Sequence, residues 1–241
     1  MDGRLLAACA LVLLLSSAGC ASLGPGGGEV DRERLAEDAS YDWNASADVT
    51  IDVTGGYYYA VYRVENRSSI SLSRFYRLND RRPLPIGAVQ FRHPNGTIVG
   101  ASAMSVEQNG SYVTVTMPAD RGQFAYRVNQ RGKELRVATA ASGSYEVILP
   151  PNTQVRYPLI GRVVPDGYRT SVEDGRVHVR WDELTNDRLV VRFYLVRDLW
   201  IFSGLVVAGG VAAIVILSYF WLQLRGLRER REAVDIERRE R

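Results

Sequence analysis

The sequence has little of the chemistry that disulfide-linked folds and zinc sites need. Its 241 residues include two cysteines and two histidines. So few sulfur and imidazole ligands argue against a disulfide scaffold and against a zinc centre. Lysine is also scarce, because Lys133 is the one lysine among thirty basic residues. The rest are arginines, a compositional bias typical of genomes rich in G and C.

Excess charge and catalytic motifs are missing too. The formal net charge is +3, and the chain contains no strongly basic domain of the kind that binds nucleic acid. The sequence contains no nucleophile elbow, P-loop, glycine-rich dinucleotide motif or HExxH motif. The carboxylate pairs Glu173-Asp174 and Asp182-Glu183 fall at turns and strand ends, where acidic residues are common. We therefore expect a protein that is not an enzyme and needs no cofactor or metal.

The N terminus is typical of an export signal. Arg4 precedes an apolar segment at residues 5–15, and small residues lead to Cys20. This order predicts a secretory signal over residues 1–19, because eleven apolar residues are too few to cross a bilayer. The sequence SAGC ending at Cys20 resembles a lipobox, which implies a lipid anchor on Cys20. Ordinary cleavage after Ala18 or Ala21 is the alternative.

Residues 20–44 are predicted to be a stalk. The segment begins with the glycine-rich sequence ASLGPGGG and continues into acidic sequence. Glycine-rich segments behave as flexible spacers. We expect the stalk to hold a folded domain away from the membrane.

Residues 199–222 are predicted to form a transmembrane helix. The run has 24 residues and no charge, so as a helix it extends about 36 Å against about 30 Å of hydrocarbon. Trp200 lies near one end, and Tyr219 and Trp221 lie near the other, as in interfacial aromatic belts. The signal segment then puts residues 45–198 outside the membrane. The tail, residues 223–241, carries seven arginines and is expected inside.

Small residues recur every four positions within the predicted span. One series is Gly204, Ala208 and Ala212, and a second is Gly209 and Ala213. This spacing lets two helices approach closely, so a second copy or another membrane protein is a candidate partner beside the membrane lipid. Small residues are also common in membrane helices that have no partner. The arginine-rich tail is interpreted in the same two ways, as a solvated anchor or as a docking helix.

Residues 45–198 are predicted to form a β-rich domain outside the cytoplasm. Short segments of alternating polar and apolar residues follow one another with turn residues between them. Ten or more such strands favour a β-sandwich. The proline-rich segment 149–165 is the one place where the domain is expected to divide, if it consists of two small subdomains rather than one.

Three predicted turns join pairs of strands into hairpins. They are Asn95-Gly96, Asn109-Gly110 and Asp174-Gly175. Such dipeptides suit type I′ turns, in which both central residues need a positive φ. We expect this turn type in all three hairpins.

The segment RVHVRW shows how the strands should face. Val177, Val179 and Trp181 alternate with polar residues, so one face is expected to be buried and the other solvated. His178 belongs to the polar face, and His93 lies near a hairpin end. Because neither has a cysteine, a second histidine or a carboxylate at ligand spacing, both are expected to be surface histidines.

An aromatic and basic stretch lies at residues 57–67, where four tyrosines precede or flank two arginines. The simplest interpretation is a strand with alternate tyrosines buried and arginines exposed. The other interpretation is a surface that meets acidic glycans, anionic lipid headgroups or the acidic stalk.

Four sequons for N-glycosylation lie in the part of the chain expected outside. Their asparagines are Asn44, Asn66, Asn95 and Asn109. Modification there requires a host that glycosylates and an exposed asparagine. For Asn95 and Asn109, the preference of turns for Asn-Gly is an alternative explanation.

The architecture resembles a known group of proteins. The chain resembles an uncharacterised family of haloarchaeal membrane-anchored surface proteins that share a domain of unknown function. The resemblance lies in the lipobox-like LSSAGC, the sequons and the C-terminal FYLVRDLWIFSGLVVAGG. The resemblance implies a surface location and brings no activity, cofactor or site residue. The near-neutral domain departs from the strongly acidic composition usual in such proteins.

Two functional hypotheses follow from the sequence. The first is a membrane-tethered, non-enzymatic β domain that binds or organises envelope components, or serves as an accessory subunit of a membrane complex. The second is a sensor that signals through the helix to the arginine-rich tail. A surface hydrolase ranks third, and a cleft where carboxylates converge on His178 would favour it.

Overall fold

The computed structural model describes residues 30–77, 80–157, 160–185 and 188–239. Two α-helices lie at its ends, namely α1 (Arg32–Leu35) and α2 (Val196–Arg239). Between them the strands are β1 (Val49–Val53), β2 (Tyr57–Glu65), β3 (Ser69–Arg77), β4 (Asp80–Pro83), β5 (Ile86–Arg92), β6 (Ile98–Gly100), β7 (Ser105–Asn109), β8 (Tyr112–Thr116), β9 (Arg121–Asn129), β10 (Glu134–Ala138), β11 (Gly143–Ile148), β12 (Thr153–Gln154), β13 (Arg162–Val164), β14 (Arg169–Glu173), β15 (Arg176–Leu184), β16 (Arg188–Arg192) and β17 (Tyr194–Leu195).

The strands form a sandwich around one core. An eight-stranded sheet has the order β14-β15-β11-β1-β2-β9-β5-β6, and its β1–β11 pair is parallel. Facing it are a four-stranded sheet, β4-β3-β8-β7, and a three-stranded sheet, β10-β16-β13. One cluster of buried side chains includes residues from all three sheets. The prediction of a mainly β chain with one long C-terminal helix is confirmed.

The segment 149–165 does not divide this core. Leu149, Val155 and Val163 are buried and belong to the same cluster as Trp181 in β15. Strand β13 lies near the end of this segment and pairs with β16. The prolines therefore bend a connection across one core instead of separating two subdomains.

Alternation decides which side chains enter the core. In β15, Val177, Val179 and Trp181 are buried, whereas Arg176 and Arg180 lie on the other face. In β2, Tyr58 and Tyr62 are buried and Arg63 is exposed. Successive side chains of a strand point to opposite faces, so the period-two pattern predicts this arrangement correctly.

The three hairpins form where they are expected, but only one of them has the predicted type I′ turn. Asp174 and Gly175 have φ values of 50° and 73°, as a type I′ turn requires. Asn109 instead ends β7 and pairs with Tyr112. Gly110, with a φ of 52°, is then the first central residue of a two-residue turn, which is the type II′ pattern. Residues 93–97 form a longer loop between β5 and β6.

The sequence TIVGASAMSV, which alternation predicts as one strand, is broken. Strand β6 ends at Gly100, a short 3-10 helix follows at Ala101–Ala103, and β7 begins at Ser105. Glycine and alanine have low strand propensity. The backbone therefore leaves the strand conformation at the middle of this segment, although the alternation of polar and apolar residues continues through it.

The predicted stalk is wrong for residues 30–44. Leu35, the last residue of α1, joins the core, and Tyr41 is buried. Residues 36–48, here called the strap, cross the outer face of the eight-stranded sheet. Tyr41 packs there against Val61 and Ala125. The acidic composition suggested a solvated spacer, but the apolar side chains within it bind the strap to the sheet.

The long helix α2 begins directly after β17. It has 44 residues, and within the described residues it is the one helix long and apolar enough to cross a membrane. Its side chains from Trp200 to Arg225 are exposed, so the domain does not bury it. The predicted signal and Cys20 lie outside the described residues.

Candidate pocket on the outer face of the large sheet

The strap and the eight-stranded sheet enclose a pocket of about 390 Å³. Its floor consists of outward-facing residues of β1, β2, β11, β14 and β15, and its rim is the strap. The lining residues are Ser40, Asp42, Asn44, Ala45, Ser46, Thr50, Asp52, Tyr59, Val61, Glu146, Ile148, Glu173, His178 and Arg180. Most of them are polar, in contrast to the apolar inner face of the same sheet.

Strand register brings the central polar residues into one row. Thr50 of β1 lies opposite Glu146 of β11, and Glu146 lies opposite Arg180 of β15. The neighbouring row contains Asp52, Ile148 and His178. Because directly opposed side chains in a sheet are close enough to interact, the two rows form one polar cluster.

Glu146 is the centre of the cluster. Its side chain is 5 % exposed, and its Oε1 accepts hydrogen bonds from His178 Nδ1 at 2.7 Å and Arg180 Nε at 2.8 Å. Its Oε2 accepts from Ser46 Oγ at 3.3 Å. A buried carboxylate is costly unless it is paired and hydrogen-bonded, and these contacts satisfy that requirement. They also join the strap to the sheet.

The charges around Glu146 are paired with one another. Arg180 also contacts Glu173 at 2.9 Å, and Arg176 binds Asp52. The hydrogen bond from Ser171 and the bonds and charge of Arg180 hold the pKa of Glu173 below its usual value. Desolvation lowers the pKa of Arg180, but bonding to Glu146 and Glu173 outweighs it and raises this pKa. Both groups are therefore ionised at neutral pH.

One polar atom of the pocket is not satisfied by the protein. Thr50 is 8 % exposed, and its Oγ1 is buried without a hydrogen-bond partner. Buried polar side chains are normally bonded, so an exception needs an explanation. Because Thr50 lines the pocket, a polar group of a bound molecule can supply the missing partner.

His178 is therefore not the surface histidine that the sequence predicts. Its side chain is 12 % exposed, and its nearest carboxylate, Glu146, lies 32 positions away along the chain. Local spacing could not reveal this contact, because the β11–β15 register creates it. A weak signal did exist, since Glu146 is a charged residue between the apolar residues Tyr145 and Val147 in β11. His93 packs its ring 5.0 Å from that of Phe91.

The pocket contains the converging carboxylates that would favour a hydrolase, but their hydrogen bonds differ from those of a serine triad and of a glycosidase pair. A serine triad needs histidine between the serine and the acid, whereas Ser46 bonds to Glu146 and not to His178. A glycosidase needs a protonated acid beside an ionised carboxylate. Glu173 is held ionised, and Glu146 accepts three hydrogen bonds through its two oxygens.

A second cavity, of about 480 Å³, lies at one end of the large sheet and is basic. Arg63, Arg92 and Arg121 line it together with His93 and Glu65. Asp48 lies 3.5 Å from Arg63, so part of the acidic N-terminal segment does meet the basic stretch of β2. Within the described residues, no group of histidine, cysteine and carboxylate side chains could hold a metal ion.

The remaining predicted residues lie on exposed surfaces. The four sequon asparagines, at positions 44, 66, 95 and 109, are exposed, and Asn44 lies at the pocket rim. The small residues of α2, at positions 204, 208, 209, 212 and 213, are exposed too. Apart from the adjacent residues and the neighbouring backbone of the same helix, a methyl group added at Gly204 or Gly209 would meet no described atom within 4 Å.

Comparison with known proteins identifies a family but no activity. The model of a family of unknown function, DUF5803, matches residues 45–239. The match includes every described strand and α2, and it begins inside the strap. No curated protein and no solved structure matches the chain. The chain therefore belongs to the DUF5803 family of unknown function.

Proposed function

We propose that the protein is a membrane-anchored, non-enzymatic binding module of the cell surface. The helix α2 spans the membrane once, residues 45–198 face outward and the tail faces the cytoplasm. A signal peptide directs export, and a lipid on Cys20 adds a second anchor. The near absence of lysine favours a haloarchaeal source, and exposure of the four sequon asparagines is compatible with N-glycosylation.

The ligand site of this module is the pocket under the strap. The observation that carries this proposal is the buried Thr50 hydroxyl without a partner, next to the buried carboxylate of Glu146. Asp42, Asn44 and Glu173 add acceptors around the same space. A site rich in acceptors binds a ligand rich in donors, and its acidic balance disfavours anions.

These features favour a neutral, hydroxyl-rich ligand such as an envelope saccharide. Its hydroxyl groups can donate to the carboxylates and accept from Thr50, while the Tyr59 ring offers an apolar surface at the pocket wall. Pockets of this kind gain specificity from a few placed polar groups.

Saturation-transfer NMR of the full chain in mild detergent with neutral mono- and disaccharides tests the ligand class. Replacing Glu146 by Gln removes a charged acceptor, which costs about 1.5–3 kcal/mol, so affinity should fall at least about tenfold. Thr50→Val should also weaken binding. Thr114→Val is a matched control, because Thr114 bonds to Ser71 on another sheet. Equal saccharide binding by the wild type and Glu146→Gln would refute the assignment.

A second candidate is a sensor that passes a binding event to the tail. It is favoured by the direct connection between β17 and α2, where Lys133 forms an ion pair with Asp198 in the first turn of the helix. Val196 N–H also donates to the Asn152 carbonyl at 3.1 Å. Deletion of residues 225–241 separates the candidates, because a sensor loses its function and a binding module keeps it.

The small residues of α2 are proposed to contact a second copy or another membrane protein. Leucine at Gly204 and Gly209 would separate two packed helices while keeping the helix apolar. Cross-linking in the membrane should then detect less of the associated form than with the wild type. Unchanged cross-linking would show that these residues face lipid.

A further inference from the structure

The end of the domain from which α2 emerges has its own chemical character. Strand β12 pairs with β17, the strand that precedes the helix. Beyond β12, the backbone N–H groups of Ile160 and Gly161 donate to the carbonyl of Tyr157 at 3.1 and 2.7 Å. The Tyr157 ring lies 6.2 Å from that of Tyr194 in β17. Tyr157 and Ile160 therefore stand beside the start of the helix.

Strand register places basic residues at the same end. Arg192, the last residue of β16, lies opposite both Arg162 of β13 and Glu134 of β10. Lys133 immediately precedes β10, and its backbone carbonyl accepts from Phe193 N–H at 2.9 Å. The edge next to the helix is therefore formed by the beginnings of β10 and β13 and the end of β16.

The charge of this end is positive. Two carboxylates beside the start of the helix are occupied, since Glu134 bonds to Arg136 and Arg192 and Asp198 bonds to Lys133. Arg156 and Arg162 are exposed, and neither has a carboxylate within ion-pair distance among the described residues. Charge of one sign is thus left over where the domain meets the helix.

Apolar side chains are exposed between these charges. Tyr157 is 53 % exposed and Ile160 is 40 % exposed. Trp200, in the first turns of α2, is 75 % exposed. An aromatic ring, an aliphatic side chain and arginines on one surface match the interface of a bilayer, where aromatic rings and cationic groups are enriched.

The distance along the helix fits this interface. The uncharged run begins at Leu199, three residues after the helix starts at Val196, which is about 4.5 Å of rise. The headgroup layer on each side of the hydrocarbon is roughly 5–8 Å thick. If Leu199 begins the hydrocarbon crossing, the start of α2 and the residues beside it lie within the headgroups.

We propose that this end of the β domain rests on the membrane, where Arg156 and Arg162 bind anionic lipid headgroups and Tyr157 and Ile160 enter the interface. The proposal depends on the membrane anchoring proposed above. It assigns the bilayer surface as the occupant because the helix fixes this end at the bilayer. The opposite end of the large sheet, with Asn66 and the loop containing Asn95, then points away from the membrane.

The test uses the full chain in lipid nanodiscs, with Cys9 and Cys20 replaced by serine and one new cysteine carrying an environment-sensitive fluorophore. The label is attached through Tyr157→Cys or, if that variant does not fold, Ile160→Cys. The control is Ile98→Cys, whose native side chain is 49 % exposed at the opposite end. The nanodiscs contain phosphatidylcholine with or without phosphatidylglycerol, plus a lipid spin-labelled at the headgroup.

We expect at least threefold stronger quenching at position 157 than at position 98 in anionic nanodiscs. The double variant Arg156→Gln/Arg162→Gln should reduce it, whereas Arg121→Gln, at the far end, should not. Equal quenching at positions 157 and 98 would overturn the proposal, and so would quenching that ignores lipid charge. An Ile214→Cys label in mid-helix, with a spin label deep in the acyl chain, isolates the anchoring: no quenching there means that the anchoring itself fails.

Discussion

The two faces of the eight-stranded sheet are built from alternate residues of the same strands but hold the molecule together differently. The inner face buries tyrosine, phenylalanine and valine, with Tyr62, Phe124 and Tyr126 at 1 % exposure or less. The outer face bears Glu146, His178 and other polar side chains beneath a strap. Burial of apolar surface is favourable and non-directional, whereas a buried carboxylate needs specific hydrogen-bonding partners. The difference locates stability on the inner face, and under the proposed function the outer face is the one that recognises a ligand.

Adjacent residues of β9 test this difference most strongly. Phe124 is fully buried on the inner face, and its replacement by alanine should cost about 3–5 kcal/mol of unfolding free energy. Gln123, on the outer face, donates to the Trp43 carbonyl of the strap at 2.9 Å. Gln123→Ala should cost about 1 kcal/mol. Denaturant unfolding of the full chain in detergent measures both, and equal losses would remove the distinction between the faces.

The attachment of the strap is expected to have a smaller, local effect. The Tyr41 hydroxyl donates to the carbonyl of Ala88, a residue with a φ of 51° in an irregular part of β5. Tyr41→Phe keeps the ring and removes this hydrogen bond, so stability should fall by about 1 kcal/mol. Hydrogen exchange should increase in the strap and in β5, with β3 and β8 as internal controls. Exchange that rises uniformly would mean that the strap is not a separate unit.

The smallest effect concerns pH at the point where the strap enters β1. Asp48 accepts from the backbone N–H and the hydroxyl of Ser144 at 2.9 and 2.8 Å. These bonds, with a further contribution from Arg63, hold the pKa of Asp48 below its usual value. A carboxylate with a lowered folded-state pKa stabilises the fold above the pKa of the unfolded chain, about 3.9, and this stabilisation disappears as the pH falls through the folded-state value.

Asp48→Asn should therefore lower stability at pH 7 and have little effect in strong acid. The side chain is 41 % exposed, so solvent screening keeps the loss below about 1 kcal/mol. Unfolding curves of the wild type and the variant between pH 7 and pH 3 check the sign. A difference that grows towards low pH would contradict the assigned contacts.

The same comparison explains which features could be predicted from the sequence. Alternation in β2 and β15 identified the inner face, because burial of every second side chain leaves a local pattern. The uncharged run of 24 residues identified α2, because a helix long enough to cross a bilayer also leaves a continuous local pattern. The pocket could not be predicted, since Thr50, Glu146 and Arg180 lie far apart in the chain. They meet through the parallel β1–β11 pair and the antiparallel β11–β15 pair. Residues 30–44 were mistaken for part of a stalk because their acidic composition outweighed the apolar signal of Leu35 and Tyr41, which are buried.

In the proposed topology, the β domain lies outside the membrane and the tail lies inside. Labelling of intact cells with a membrane-impermeant maleimide tests this topology, in a background where Cys9 and Cys20 are replaced by serine and one new cysteine stands at position 98 or 240. Ile98→Cys should be labelled on intact cells, and Glu240→Cys should be labelled only after permeabilisation. Labelling of position 240 on intact cells, with position 98 protected, would contradict it.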